Sequence, residues 1–324
     1  MKAPSSSKVL IRNGPPTHVS IRTVMELENV LIHEAGMSTL PEKEQDFWQR
    51  VFYRMNRLTA WPFRALAKRH SAKELLFAVL MGVDHIRKVF PYFHHKARKK
   101  GSYVFDCWPS KYERMAEEVE RYGIDPLFLS SWEAARAMKE RLPDHPRILH
   151  IPEGIDPSPY RPAPFEEKDI DVLQFGRKHP SYHAALKEGL EDPSISYLYE
   201  EEKGELLFPD LDDFIRGLGR ARISVCFPAS DTHPGISGGV STLTQRYLQS
   251  MLSKCLVVGS MPEDAKGLLP DDAVIEADRE DPAGQVRRLL EDFEDHIPLI
   301  ERNYELVLRK HTWSERVGRM MPYL

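Results

Sequence analysis

A chain of 324 residues with 41% hydrophobic, 10% aromatic and 29% charged side chains has room for two hydrophobic cores and the make-up of an ordinary globular protein. Its formal net charge of -4 offers no overall attraction to nucleic acid, so none is expected as a partner. The three cysteines, Cys107, Cys226 and Cys255, fall at no metal-ligand spacing, and no stretch is apolar enough for a signal core or a membrane span; a reducing, cytoplasmic setting without a metal site is expected.

Residues 1–20, with Ser5-Ser6-Ser7 and Pro15-Pro16, read as a poorly ordered tail. From about residue 28, short apolar runs alternate with amphipathic stretches, the pattern of parallel sheets built from βα units. Strand candidates of the first half are 30–33, 75–81, 103–107, 127–129 and 148–151. Between 47 and 73 there is no acidic residue, while Arg50, Arg54, Arg57, Arg64, Lys68, Arg69 and Lys73 carry positive charge. Phe47, Val51, Met55 and Leu58 line one helical face there, with Trp48, Phe52, Trp61 and Phe63 nearby. That combination suits peripheral contact with an anionic membrane, at its inner face, and equally a solvated helix packed on its own domain. The run 94–100, with His94, His95, Lys96, Arg98, Lys99 and Lys100, extends the same basic surface. Two stripes at helical spacing, Tyr112, Met115, Ala116, Val119, Tyr122 and then Trp132, Ala135, Met138, Leu142, face the core.

Five prolines in 152–164 mark a linker between two βα series. Strand candidates then continue at 172–175, 197–199, 223–227, 256–258 and 273–275, and the last fifty or so residues read as helical. The expected fold class is therefore α/β: two Rossmann-like parallel-sheet domains, 21–157 and 158–324, with the last helix packing back on the first. Ligands of open parallel sheets bind at the carboxyl ends of the strands, so such a pair is expected to face a central cleft.

The stretch 234–260 is the most informative. A loop with Gly235, Gly238 and Gly239 feeds a helix carrying Leu243, Tyr247, Leu248, Met251 and Leu252 at helical spacing, and the helix turns into the apolar run 255–258. Ser241 and Thr242 are N-cap candidates. Free backbone N–H groups and the positive end of the helix dipole make such a mouth an anion site, with phosphate as the natural ligand. Many α/β domains carry the same turn and bind nothing.

Four motifs in order, Ile151-Pro152-Glu153-Gly154-Ile155-Asp156 with Pro159-Tyr160-Arg161-Pro162, Val172-Leu173-Gln174-Phe175-Gly176-Arg177, the stretch 248–260, and Thr312-Trp313, resemble the GT-B glycosyltransferases, in particular the large retaining family 4. There the hinge reads like IPNGVD, the first strand of the second domain like VGR, and the donor helix and strand like LEAMACGTPVVAS. The resemblance covers about residues 125 to 324 and implies transfer of a sugar from a nucleotide-diphosphate donor to an acceptor hydroxyl, retaining and metal-independent, with the donor as substrate and no cofactor. The acceptor is a sugar, lipid-linked or a small molecule. By the same resemblance Arg177, after Gly176, is the diphosphate arginine, its planar fork suiting phosphate oxygens, and Lys178 adds a point charge. His183 stands where the family usually has a lysine. Ser241 and Gln249 occupy the places of the paired glutamates separated by seven residues, which leaves open a catalytically silent, donor-binding GT-B protein. Gly238, Gly239, Thr242, Gln245 and Arg246 complete the expected donor contacts. On the acceptor side the strand-end residues Asp106 and His33 are the candidates for proton transfer.

Overall fold

The computed structural model describes residues 8–12, 22–41, 73–93, 97–191, 194–201, 207–208 and 210–324. The basic stretch 47–72, His94-His95-Lys96 and most of the tail 1–20 lie outside the described residues. The chain divides into two units, one of Met1–Pro152 with Trp313–Leu324 and one of Glu153–Thr312.

Unit 1 carries β1 (Lys8–Arg12), α1 (Arg22–His33), β2 (Ser38–Pro41), β3 (Lys73–Met81), α2 (Val83–Phe93), β4 (Ala97–Phe105), α3 (Tyr112–Tyr122), β5 (Ile124–Leu129), α4 (Trp132–Arg141) and β6 (Ile148–His150). The strands form one parallel sheet in the order β2-β1-β3-β4-β5-β6. Its centre is buried on both faces, which is why β3 reads as a continuous apolar run rather than an alternation. Leu76, Ala78 and Leu80 pack into one layer with α2, α3 and α4, whereas Leu75, Phe77 and Val79 pack into the other with α1.

That second layer is closed by the last helix of the chain, α12 (Trp313–Met320). Trp313 stands edge-on to Tyr103 and Phe105, with ring centroids 5.8 and 6.0 Å away, and Arg316 Nε donates to the Pro152 carbonyl at 3.0 Å.

Three expectations need correction here. Part of the tail is β1: Val9, Leu10 and Ile11 are buried inside the sheet, paired on both sides by β2 and β3. Its brevity and its serine- and proline-rich flanks hid it. Residues 30–33 are the end of α1, not a strand, because Val24, Leu27 and Leu31 bury one helical face. The basic run 97–100 is the start of β4, a strand and not the continuation of a helix, with Arg98 and Lys99 exposed and Lys100 buried.

Unit 2 carries β7 (Ile170–Gln174), α5 (Pro180–Gly189), β8 (Tyr197–Tyr199), α6 (Leu211–Gly219), β9 (Ala221–Cys226), the single turns α7 (Ala229–Thr232) and α8 (Pro234–Ser237), α9 (Gln245–Leu252), β10 (Leu256–Gly259), β11 (Ile275–Glu276), α10 (Pro282–Glu291) and α11 (Ile297–Lys310). Its parallel sheet has the order β11-β10-β9-β7-β8. Lys168 is buried beneath it, and its ammonium donates to the carbonyls of Gly219 and Ala221 at 2.8 Å and of Ser253 at 3.0 Å. A cation there satisfies carbonyls at the negative ends of α6 and α9. The unit begins and ends on one short pairing: Ile155 bridges Thr312, and the Ile155 amide donates to the His311 carbonyl at 3.1 Å. The boundary thus falls five residues before the expected one, because Ile155 and the residues around it already pair within unit 2.

Replacing Trp313 by alanine empties the largest fully buried side chain of the second layer. We expect a loss of about 3–5 kcal/mol, read as a fall in denaturant midpoint, with the cavity confined to unit 1.

Candidate functional site

In a sheet ordered 2-1-3-4-5 the crossovers on either side of the first and third strands leave in opposite directions, and a crevice opens between their carboxyl ends. In unit 2 those strands are β7 and β9. The chain turns away from β7 at Gly176, whose φ of +69° lies in the left-handed region that favours glycine. Arg246, in the first turn of α9, reaches across the crevice. Its Nη1 donates to the Arg177 carbonyl beyond β7 at 3.2 Å and its Nη2 to the Phe227 carbonyl beyond β9 at 2.8 Å. One guanidinium therefore spans the switch point.

Behind it, the Tyr247 hydroxyl donates to Ser260 O at 2.8 Å and lies 3.3 Å from Cys226 O. Burial pushes that phenol well above its ordinary pKa, Cys226 adds to the rise, and the charges of Arg246, Asp231 and Arg177 all act on it. Those three groups share one neighbourhood. Gly259 keeps β10 against β9: a Cβ there would sit 1.7 Å from the Cys226 carbonyl oxygen.

The mouth of α9 differs from expectation. Its N-cap is Thr244, whose side chain makes no capping bond, and neither Ser241 nor Thr242 caps it. Instead the buried Glu153 carboxylate accepts from the Gln245 amide at 3.0 Å, while Gln245 Nε2 returns a bond to the Gly154 carbonyl at 2.9 Å. A helix mouth attracts an anion, and here the chain supplies its own. The signal was present in Ile151-Pro152-Glu153-Gly154, where the resembling hinge pattern has asparagine in place of Glu153. Ser241 serves another turn: its hydroxyl accepts from Glu263 N at 3.3 Å and its carbonyl from Asp264 N at 3.2 Å. Thr242 is buried beside it. Gln249 lies half-buried one turn beyond Gln245 and Arg246. Gly238 and Gly239, at φ +60° and +84°, carry the exposed turn after α8.

Lys178 and His183 belong to the β8 side of the crevice. Lys178 donates to the Glu200 carbonyl and stands 5.6 Å from the Tyr199 ring centroid. His183 Nδ1 is 2.6 Å from the Tyr197 hydroxyl and 3.1 Å from Gln174 Oε1. Burial, and then Lys178 and Lys187, hold this imidazole below its ordinary pKa. It is neutral near pH 7 and cannot replace the cation of the lysine whose place it takes. Asp231, in α7, has partners that no local sequence pattern signals. The carboxylate accepts from Ser230 at 3.1 Å, Ser260 at 3.0 Å and Arg279 at 2.6 Å, a third arginine at the carboxyl edge.

In unit 1, Asp106 is an exposed residue just beyond β4 with φ +45°, uncommon for a side chain other than glycine. Gly82, just beyond β3 and also left-handed at +82°, lies beside it: a Cβ there would be 3.7 Å from the Asp106 carbonyl. His33 is elsewhere. Helix α1 joins the parallel neighbours β1 and β2 and so runs against them, which puts its last residue at the amino edge. The structure therefore removes His33 from the strand ends. His150, at the end of β6, bonds through Nε2 to the Ser130 carbonyl at 3.1 Å. Among the described residues no group of acidic, histidine or cysteine side chains is placed to hold a metal ion, and no helix is long and apolar enough to cross a membrane.

No protein-family model matches the sequence, and no curated protein does. Solved structures do. The Anabaena protein HepE, crystallised with UDP, superimposes with a TM-score of 0.63 at 9% identity over 98% of this chain and all of its own. Its complex with UDP and glucose gives 0.62 at 10% identity over 98% and 99%. Sucrose-phosphate synthase from Thermosynechococcus elongatus gives 0.61 at 10% identity over 96% of each chain. The fold is GT-B. At such identities the likeness is one of architecture alone.

Burial drives the His150 pKa from 6.5 down to about 4, against the Ser130 carbonyl bond, which raises it, and with help from Arg319, Arg316 and Lys139. Between those pH values the unfolded chain binds the proton and the folded one does not, so stability rises with pH across the window and is lost as pH falls through it. Urea melts at pH 7 and 4.5 should differ less in His150→Gln than in the wild type, by about 2 kcal/mol.

Proposed function

We propose that the chain is a glycosyltransferase that moves a sugar from a nucleotide-diphosphate donor to an acceptor hydroxyl. The reading rests on one observation above the others: a guanidinium held by two main-chain carbonyls at the switch point of a GT-B second domain, with Arg177 beside it. HepE, of the same fold, was crystallised with UDP and with UDP-glucose, which supports a nucleotide-sugar donor here.

The departing diphosphate gains negative charge as the glycosidic bond breaks, and a site without a metal must meet that charge with fixed cations and donors. Arg246 is oriented by its carbonyl bonds and needs no reorganisation, and Arg177 and Lys178 supply further positive charge. Glu153 already occupies the first amide of α9, so arginines rather than the helix mouth carry the phosphate contacts in this proposal. Gln249 suits the donor ribose with its amide and carbonyl. Retention of configuration and independence from metal ions belong to the same proposal, as does Asp106 as the acceptor-side base. The basic, aromatic-rich segment 47–73 supports a peripheral membrane contact and a lipid-linked acceptor on the cytoplasmic face.

Arg177→Ala should weaken UDP binding about 10- to 100-fold in calorimetry while leaving the melting temperature unchanged, since the side chain is only half-buried. Equal UDP affinity in wild type and variant would remove the assigned site. Asp106→Asn should keep donor affinity and lower kcat about 10²- to 10⁴-fold. Purified protein that binds UDP yet neither hydrolyses nor transfers any UDP-sugar would instead be a silent binder.

A further inference from the structure

The loop that leaves β7 ends on His179, which stands directly before Pro180 and is the N-cap of α5. Its Nδ1 accepts from the Tyr182 amide at 3.4 Å and lies 3.4 Å from the Ser181 hydroxyl, so Nδ1 serves as an acceptor and carries no proton. The single N–H of the ring is then on Nε2. That nitrogen has no hydrogen-bond partner among the described residues.

The ring is held on a second side as well. It lies against Phe227, just beyond β9, with centroids 5.1 Å apart and planes inclined by 40°. The carbonyl of that same Phe227 takes Arg246 Nη2, and the carbonyl of Arg177, two residues before His179, takes Nη1. Imidazole and guanidinium therefore bridge the same two loops, the one from β7 to α5 and the one from β9 to α7. The cap holds Nδ1 toward the helix, and the shape of the ring turns the Nε2 proton away from it. Phe227 is fully buried and makes a firm floor, while the imidazole is half-buried.

Arg177 and Lys178 precede His179 in the chain, and the first turn of α5 carries no acidic residue. A fixed N–H donor among guanidinium and ammonium groups suits oxygens that bear negative charge, because such bonds are shorter and stronger than those to neutral acceptors. A sugar hydroxyl would leave the surrounding cations unmet. Cap and stack also hold the ring before any ligand arrives, so binding costs little side-chain ordering.

We propose that His179 is a donor-binding residue whose Nε2–H donates to a diphosphate oxygen of the nucleotide donor while its Nδ1 caps α5. This deepens the transferase reading and rests on it for the identity of the ligand. Asparagine and glutamine divide the two tasks. The carboxamide oxygen of asparagine falls near the place of Nδ1 and caps well, whereas the amide of glutamine reaches the place of Nε2 and caps poorly. Calorimetric titration of the full chain with UDP and with inorganic pyrophosphate, beside thermal melts, separates them. His179→Asn should melt with the wild type and bind both ligands about tenfold more weakly; His179→Gln should melt at a lower temperature and keep its affinity within about threefold. Wild-type affinity in His179→Asn overturns the contact, leaves His179 a cap alone and leaves the donor reading in place. Failure of the wild type to bind either ligand overturns the contact and the donor reading together.

Discussion

The second unit is organised around one guanidinium. Two parallel strands whose crossovers diverge leave their carboxyl ends with carbonyl groups and no neighbour to bond them, and an unpaired buried carbonyl is costly. Arg246 answers two such carbonyls at once and, in doing so, brings a permanent positive charge to the place where the topology opens a crevice. The structural need and the proposed chemical use therefore coincide in one side chain. That also explains the crowding behind it, where Tyr247 and Gly259 let β9, β10 and α9 approach closely enough for a residue in the first helical turn to reach both strand ends.

Much of this was legible in sequence because parallel strands buried on both faces are uninterrupted apolar runs. The candidates at 75–81, 127–129, 148–151, 172–175, 197–199, 223–227 and 256–258 all overlap strands, and the stripes beginning at Tyr112 and Trp132 are helices. What failed were places where local pattern and tertiary context disagree. Val30, Leu31 and Ile32 look like a strand when read alone, and only the partners Val24 and Leu27 reveal the helix. Lys8–Arg12 is too short to stand out between polar flanks, yet it is paired on both sides within the sheet. Caps are harder still. Ser241 and Thr242 have the right chemistry at nearly the right place, but the anion at the helix mouth comes from Glu153, ninety-two residues away in the chain.

The candidate site was legible to a similar degree and for the same reason. Gly176, Arg177 and Arg246 follow from strand ends and the first helical turn, which sequence pattern locates well. The neutral state of His183 does not, since it depends on burial against Tyr197 and Gln174 and on two nearby lysines. Nor does the ion pair of Asp231, in α7, with Arg279, in the loop after β11. Conformation and exposure, by contrast, are features only coordinates reveal, such as the positive φ of Asp106 and the half-exposed ring of Trp132.

The helix Trp313–Met320 packs with residues made some two hundred positions earlier, so the second unit is an insertion within the first. During synthesis the inserted unit is complete, and its two ends already joined at Ile155 and Thr312, before the enclosing unit has its last structural element. The enclosing sheet must then wait with one apolar layer covered by α1 alone, exposed to chaperones or to aggregation, until the closing helix has been made. An inserted unit whose ends lie side by side is also a natural cut-and-rejoin point, so the order of the two units along the chain is open to permutation while their folds are not.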